Sequence, residues 1–87
     1  PTTLVIERGK THGKFSANAE AAQNLKRKYQ LLLTKRHARG QPDLTDTQKE
    51  SVEMILSKLG RILTGDANFQ DHWDDIAGYA KIANGNF

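Results

Sequence analysis

Proline stands only at positions 1 and 42, so almost nothing in the backbone forbids a helix along most of the chain. The breaks come from glycine. Gly9 and Gly13 bracket a basic stretch, Gly40 precedes Gln41-Pro42, and Gly65 opens Gly65-Asp66-Ala67-Asn68. Between these points apolar residues recur at i, i+3 and i+4, the spacing of one helix face, and no segment sustains the alternation of a strand. The expected fold is all-α: an antiparallel helical hairpin with a kinked or broken last helix and an irregular basic N-terminal loop.

The local signals divide residues 1–87, a single helical domain, into four parts. Residues 1–15 read as an N-terminal arm and basic loop. Ser16 is the expected N-cap of a helix over 16–39, with Ala22, Leu25, Tyr29, Leu32 and Leu33 as its apolar stripe. Lys35, Arg36 and Arg39 complement the dipole at its end, and Gly40 can stop it in the left-handed conformation. Thr45-x-x-Gln48 is a capping box opening a helix over 45–64, with a stripe of Val52, Ile55, Leu56, Leu59, Ile62 and Leu63. After a kink at Gly65-Asp66, Asp71 is the expected cap of a helix over 71–83 carrying Trp73, Ile76, Tyr79, Ala80 and Ile82.

Charge sorts along the chain. Residues 1–40 hold nine Lys and Arg against two acids, a net +7, whereas residues 41–87 hold four against eight, a net −4. This split suits an anionic partner for the front half, or head-to-tail contact between copies. Mean hydropathy is −0.67, and a domain this short buries only roughly 60% of its unfolded surface. A thin core makes homo-oligomerisation a natural remedy. The absence of cysteine removes disulfides, thiol nucleophiles and Cys-based zinc sites. No apolar run approaches a membrane span, and no long apolar core marks a signal peptide, so no membrane partner and a cytoplasmic location are expected.

Two constellations could carry chemistry. Arg8-Gly9-Lys10-Thr11-His12-Gly13-Lys14 and the run Lys26-Arg27-Lys28 combine glycine-freed amides, cations and rings, a composition suited to phosphate and base. Consecutive cations point roughly 100° apart on a helix, so the three cannot all meet one ligand. A solvated charged face is the plainer reading of such a run. The second constellation is acidic. Glu50-x-x-Glu53 and Asp71-x-x-Asp74 resemble the paired motifs with which all-α nucleotide pyrophosphohydrolases of MazG type hold Mg²⁺. The second motif lacks its Glu, and acids in first helical turns complement the dipole without any metal. His12, His37 and His72 show no ligand spacing. The acidic back half and the absence of a basic recognition helix argue against duplex DNA. A non-catalytic protein-binding or nucleic-acid-binding module is a further alternative.

Three stretches resemble a family of small phage proteins: Glu7 to Phe15 with Asn18, Gln48 to Asp66, and Asp71-His72-Trp73-Asp74-Asp75-Ile76-Ala77-Gly78-Tyr79-Ala80. The last, a D-x-W-x-D-I-A-G-Y-A signature, is the most specific. The chain is similar to the phage anti-CBASS sponges, which sequester cyclic oligonucleotide second messengers of bacterial immunity. The resemblance implies a non-enzymatic protein without cofactor or metal, acting in the cytoplasm of an infected bacterium and assembled as a homo-oligomer, a hexamer. Its ligands would be cyclic dinucleotides, and trinucleotides by extension, held in pockets between protomers. By position it places the stacking ring at His12 and the phosphate-binding cation at Lys26 or Arg27. The composition of the entry loop adds Gly13, Lys14 and Phe15, whose ring could also stack on a base, as ligand-binding candidates. His12 departs from the Tyr that relatives carry before this glycine, and Lys14 from an acid.

Overall fold

A computed structural model of the chain describes residues 14–85. The N-terminal arm, including His12 and Gly13, lies outside the described residues. Three helices follow: α1 (Phe15–Ala38), α2 (Asp46–Thr64) and α3 (Gln70–Ala83). No strand occurs among the described residues. The fold is all-α.

Helix α1 begins one residue before the expected Ser16 cap. Lys14 is extended (φ −71°, ψ 140°) and its carbonyl accepts the Asn18 amide at 2.9 Å, so the first turn closes on Lys14 with no side-chain cap. Ser16 therefore lies within that turn. At the other end Gly40 is left-handed (φ 76°). The Gly40 amide donates to the His37 carbonyl (2.9 Å) and the Gln41 amide to Arg36 (3.2 Å), the paired bonds of a Schellman stop. Arg36 Nε also donates to the Pro42 carbonyl at 2.7 Å, tying the connection to the helix it leaves.

The Thr45 capping box forms in full. The Gln48 amide donates to Thr45 Oγ1 at 3.1 Å, and the Thr45 amide donates to Gln48 Oε1 at 2.9 Å. Helix α2 runs antiparallel to α1, with Gly60 against Ala22 and Asn18, and the Thr64 hydroxyl in contact with the Asn18 side-chain oxygen.

At residues 65–69 the chain does not bend but reverses. The Asn68 amide donates to Asp66 Oδ1 (2.9 Å), the Phe69 amide to the Asp66 carbonyl (3.2 Å), and Trp73 Nε1 to the Ala67 carbonyl (2.8 Å). Helix α3 then returns along α2. Lys58 pairs with Asp75 at 2.7 Å, and further along Tyr79 and Ile82 face Thr47 and Ser51 across a cleft. Phe69, not Asp71, is the N-cap residue, and no side chain caps this helix.

Helices α1 and α3 both pack on α2 and not on each other. The interior is therefore two separate seams, and it is thin. Ile62 is the buried large apolar residue, beside the polar Ser51 and the fully enclosed His72 (1% exposed). The His72 ring meets Phe69 edge-on at 4.9 Å. Two expected stripe members lie outside the seams: Leu32 is 51% and Leu63 69% exposed. On α3 Ile76 and Tyr79 keep their expected inward places, but the first place of the stripe changes hands. His72 takes the inner position, and Trp73 stays half exposed because its indole must reach the Ala67 carbonyl on the loop.

Candidate functional site

Packing at the α1–α2 seam leaves a polar groove along one flank. Its narrower part, a cavity of about 200 Å³, is bordered by Phe15, Asn18 and Lys26 from α1 and by Ser57 and Arg61 from α2. Its wider part, about 370 Å³, is bordered by Gln23, Lys26, Arg27 and Gln30 from α1 and by Glu53 from α2. Gln23 and Lys26 line both parts, so Lys26 stands at the junction.

The geometry follows from helix periodicity. At about 100° per residue, Lys26, Gln23 and Gln30 fall on one side of the α1 stripe that faces α2, and Ser57 and Arg61 fall on the matching side of α2. Ala21, Leu25 and Leu32 of α1, with Val52, Leu59 and Leu63 of α2, fall on the opposite side. The helix pair thus presents a polar, cation-bearing groove on one flank and a leucine-rich surface on the other.

The expected site residues are only partly brought together. Phe15 and Lys26 border the same cavity, although Phe15 is 84% exposed and forms a rim, not a wall. Arg27 borders the wider part and donates to the Asn24 side-chain oxygen on its own helix. Lys14 is exposed at the start of α1 and borders neither part. The −4 half contributes a cation that sequence reasoning left out: Arg61 joins Phe15 and Lys26 across the seam. Neither Lys26 nor Arg61 makes an ion pair among the described residues, where Lys49 pairs with Asp43 and Lys58 with Asp75.

Deeper in the same seam, burial raises the Tyr29 phenol above its usual 10.0, with Glu53 acting in the same direction. The Tyr29 hydroxyl is buried and has no hydrogen-bond partner among the described residues. The acidic constellation does not come together: Asp71 and Asp74 are exposed on α3, and the two glutamates separate. Glu53 borders the α1–α2 groove, whereas Glu50 borders a cleft of about 430 Å³ with Tyr79 and Ile82 between α2 and α3. Among the described residues no three His, Asp or Glu side chains stand together as a metal-binding group, and no helix is long and apolar enough to cross a membrane.

No family model, curated protein or solved structure matches this chain.

Proposed function

We propose that this protein captures cyclic oligonucleotides, cyclic dinucleotides and by extension trinucleotides, and withholds them without degrading them, as a phage countermeasure to a host defence effector. The observation that carries the reading is the convergence of Phe15 and Lys26 on one cavity between two helices. A ring and a cation at one site match the two chemical faces of a nucleotide, base and phosphate. Both side chains stand on one helix, which fixes the spacing of their Cα atoms before binding. The N-terminal segment with His12 and Gly13 leads directly into Lys14 and Phe15 and would complete the site from outside.

Assembly belongs to the same reading. A groove with an 84% exposed phenylalanine at its rim is open on one side, and a second protomer would close it. The leucine-rich opposite flank, with Leu32 and Leu63 exposed, supplies apolar surface for a homo-oligomer, a hexamer by the resemblance. A two-fold contact would give a cyclic dinucleotide two equivalent half-sites.

Incubation with a panel of cyclic dinucleotides and trinucleotides tests this. Tight binding, with intact ligand recovered by mass spectrometry after heat denaturation, is the expected result. Ligand hydrolysed in the presence of Mg²⁺, with turnover abolished by Glu50→Gln, would instead make the protein a pyrophosphohydrolase. An absence of nucleotide binding, together with a defined host-protein partner, would make it a protein-binding module.

A further inference from the structure

We propose that Arg61 is the second cation of the nucleotide site: with Lys26 it forms a two-point seat for a phosphodiester in the α1–α2 groove. The inference rests on the capture reading and deepens it, because it moves part of the ligand's recognition onto a helix of the acidic half.

Arg61 and Lys26 reach the same cavity from two antiparallel helices. Asp75, an acid whose carboxyl feels the Arg61 charge, is already held by Lys58 at 2.7 Å, and no carboxylate neutralises Arg61 or Lys26 by an ion pair among the described residues. Two cations that share one partly enclosed groove, neither held in an ion pair among the described residues, repel each other. An anion between them removes that repulsion. The pair is also chemically complementary: a guanidinium offers a planar fork to two phosphate oxygens, and an ammonium adds a point charge. Ser57, on the same border, offers a neutral hydroxyl donor.

The two parts of the groove differ in charge. Glu53 borders the wider part and offsets Arg27 there, whereas no acid borders the narrower part. The phosphodiester is thus directed toward Arg61 and the Phe15 rim, where a base of the same ligand can lie against the ring. Arg61 follows Gly60, whose backbone lies close against Ala22 and Asn18 of α1, and this contact fixes where its side chain leaves α2.

The experiment combines variants with side-chain NMR. Binding of cyclic di-AMP, cyclic di-GMP and cyclic tri-AMP is measured by calorimetry for the wild type, Arg61→Gln, Arg61→Lys, Lys26→Gln and, as a control for net charge, Lys81→Gln on α3. For each cyclic nucleotide that binds, Arg61→Gln should weaken affinity by about tenfold or more, the scale of a lost charge-assisted hydrogen bond. Arg61→Lys should retain part of the affinity, and Lys81→Gln should stay within about twofold, since its charge is solvated and remote. In the wild type, where no variant can misfold, the Arg61 Nε–H resonance should shift on titration with the ligand and with millimolar inorganic phosphate. Binding unchanged in Arg61→Gln, or an unmoved Arg61 resonance in the presence of bound ligand, overturns the assignment and leaves the capture reading standing. Phosphate that shifts both Arg61 and Lys26, in a protein that binds none of the cyclic nucleotides, keeps the two-cation seat and overturns the capture reading. A wild type that responds to neither probe overturns both.

Discussion

A Cβ placed on Gly60 would stand 3.1 Å from the Ala22 amide nitrogen and 3.3 Å from the Ala22 Cβ, so α1 and α2 touch backbone to backbone at this pair. The Asn18 carbonyl oxygen would be equally close, at 3.1 Å. Alanine is the better helix former by about 1 kcal/mol, but here its methyl presses on main chain that cannot rotate away. Overpacking of this kind costs about 1–3 kcal/mol. Gly60→Ala is expected to be net destabilising by about 1 kcal/mol and Gly60→Val by more, read as a lowered urea midpoint. A Gly60→Ala protein as stable as the wild type would show that the helices separate freely.

The Thr45 capping box is worth a separate measurement. Thr45→Ala removes the acceptor for the Gln48 amide and should destabilise the protein by about 1 kcal/mol, whereas Thr45→Ser should keep most of the stability. Loss of helicity should begin at the N-terminus of α2, visible as faster amide exchange at Gln48 and Lys49.

Tyr29 tests the opposite direction. Its buried hydroxyl has no hydrogen-bond partner among the described residues, and an unsatisfied buried polar group costs about 1–3 kcal/mol. Tyr29→Phe should therefore be neutral or stabilising, by up to about 1 kcal/mol. A clear loss of stability would reveal a partner for this hydroxyl in the folded protein in solution.

Acid should loosen α3 through Asp75. The hydrogen bond from Lys58, and then its charge, hold the Asp75 carboxyl below its ordinary 3.8. A depressed folded pKa gives stability that is complete above the unfolded value and lost as pH falls through the folded one. The loss is thus expected below about pH 4, with Trp73 fluorescence as the reporter on α3. Asp75→Asn should remove this part of the titration. Asp43, lowered in the same way by Lys49 in the α1–α2 connection, titrates in the same sense but away from Trp73, so Asp43→Asn should leave the signal in place.

Leu32 and Leu63 lie on the leucine-rich flank, outside both seams. The double variant Leu32→Lys/Leu63→Lys should keep the helical content and lower the mass measured by light scattering toward 9.7 kDa. An unchanged mass would show that this flank carries no contact between copies.

The helices were legible because their signals are local. The capping box needs only Thr45 and Gln48, and the α1 stop needs only Gly40 and its neighbours. What the sequence did not disclose depends on how helices lie against each other. Arg61 is a lone cation in an acidic half, and it reaches Lys26 only because Gly60 sets the register of α2 on α1. The inner place of His72 was hidden for a similar reason. A tryptophan outweighs a histidine in any hydrophobic pattern, yet the Ala67 carbonyl holds the Trp73 indole at the surface and turns His72 inward. The reversal at residues 65–69 depends on Asp66 accepting the amides of Asn68 and Phe69, which composition registers only as a break.

Helix α2 is the common leaf of a double hinge, since α1 and α3 meet it and never each other. Strain introduced in one seam has a single rod through which to reach the other. The seam that bears Lys26 accordingly makes no direct contact with the helix that Lys58 latches through Asp75. A substitution on the α3 face that packs on α2 likewise leaves the direct contacts of α1 in place.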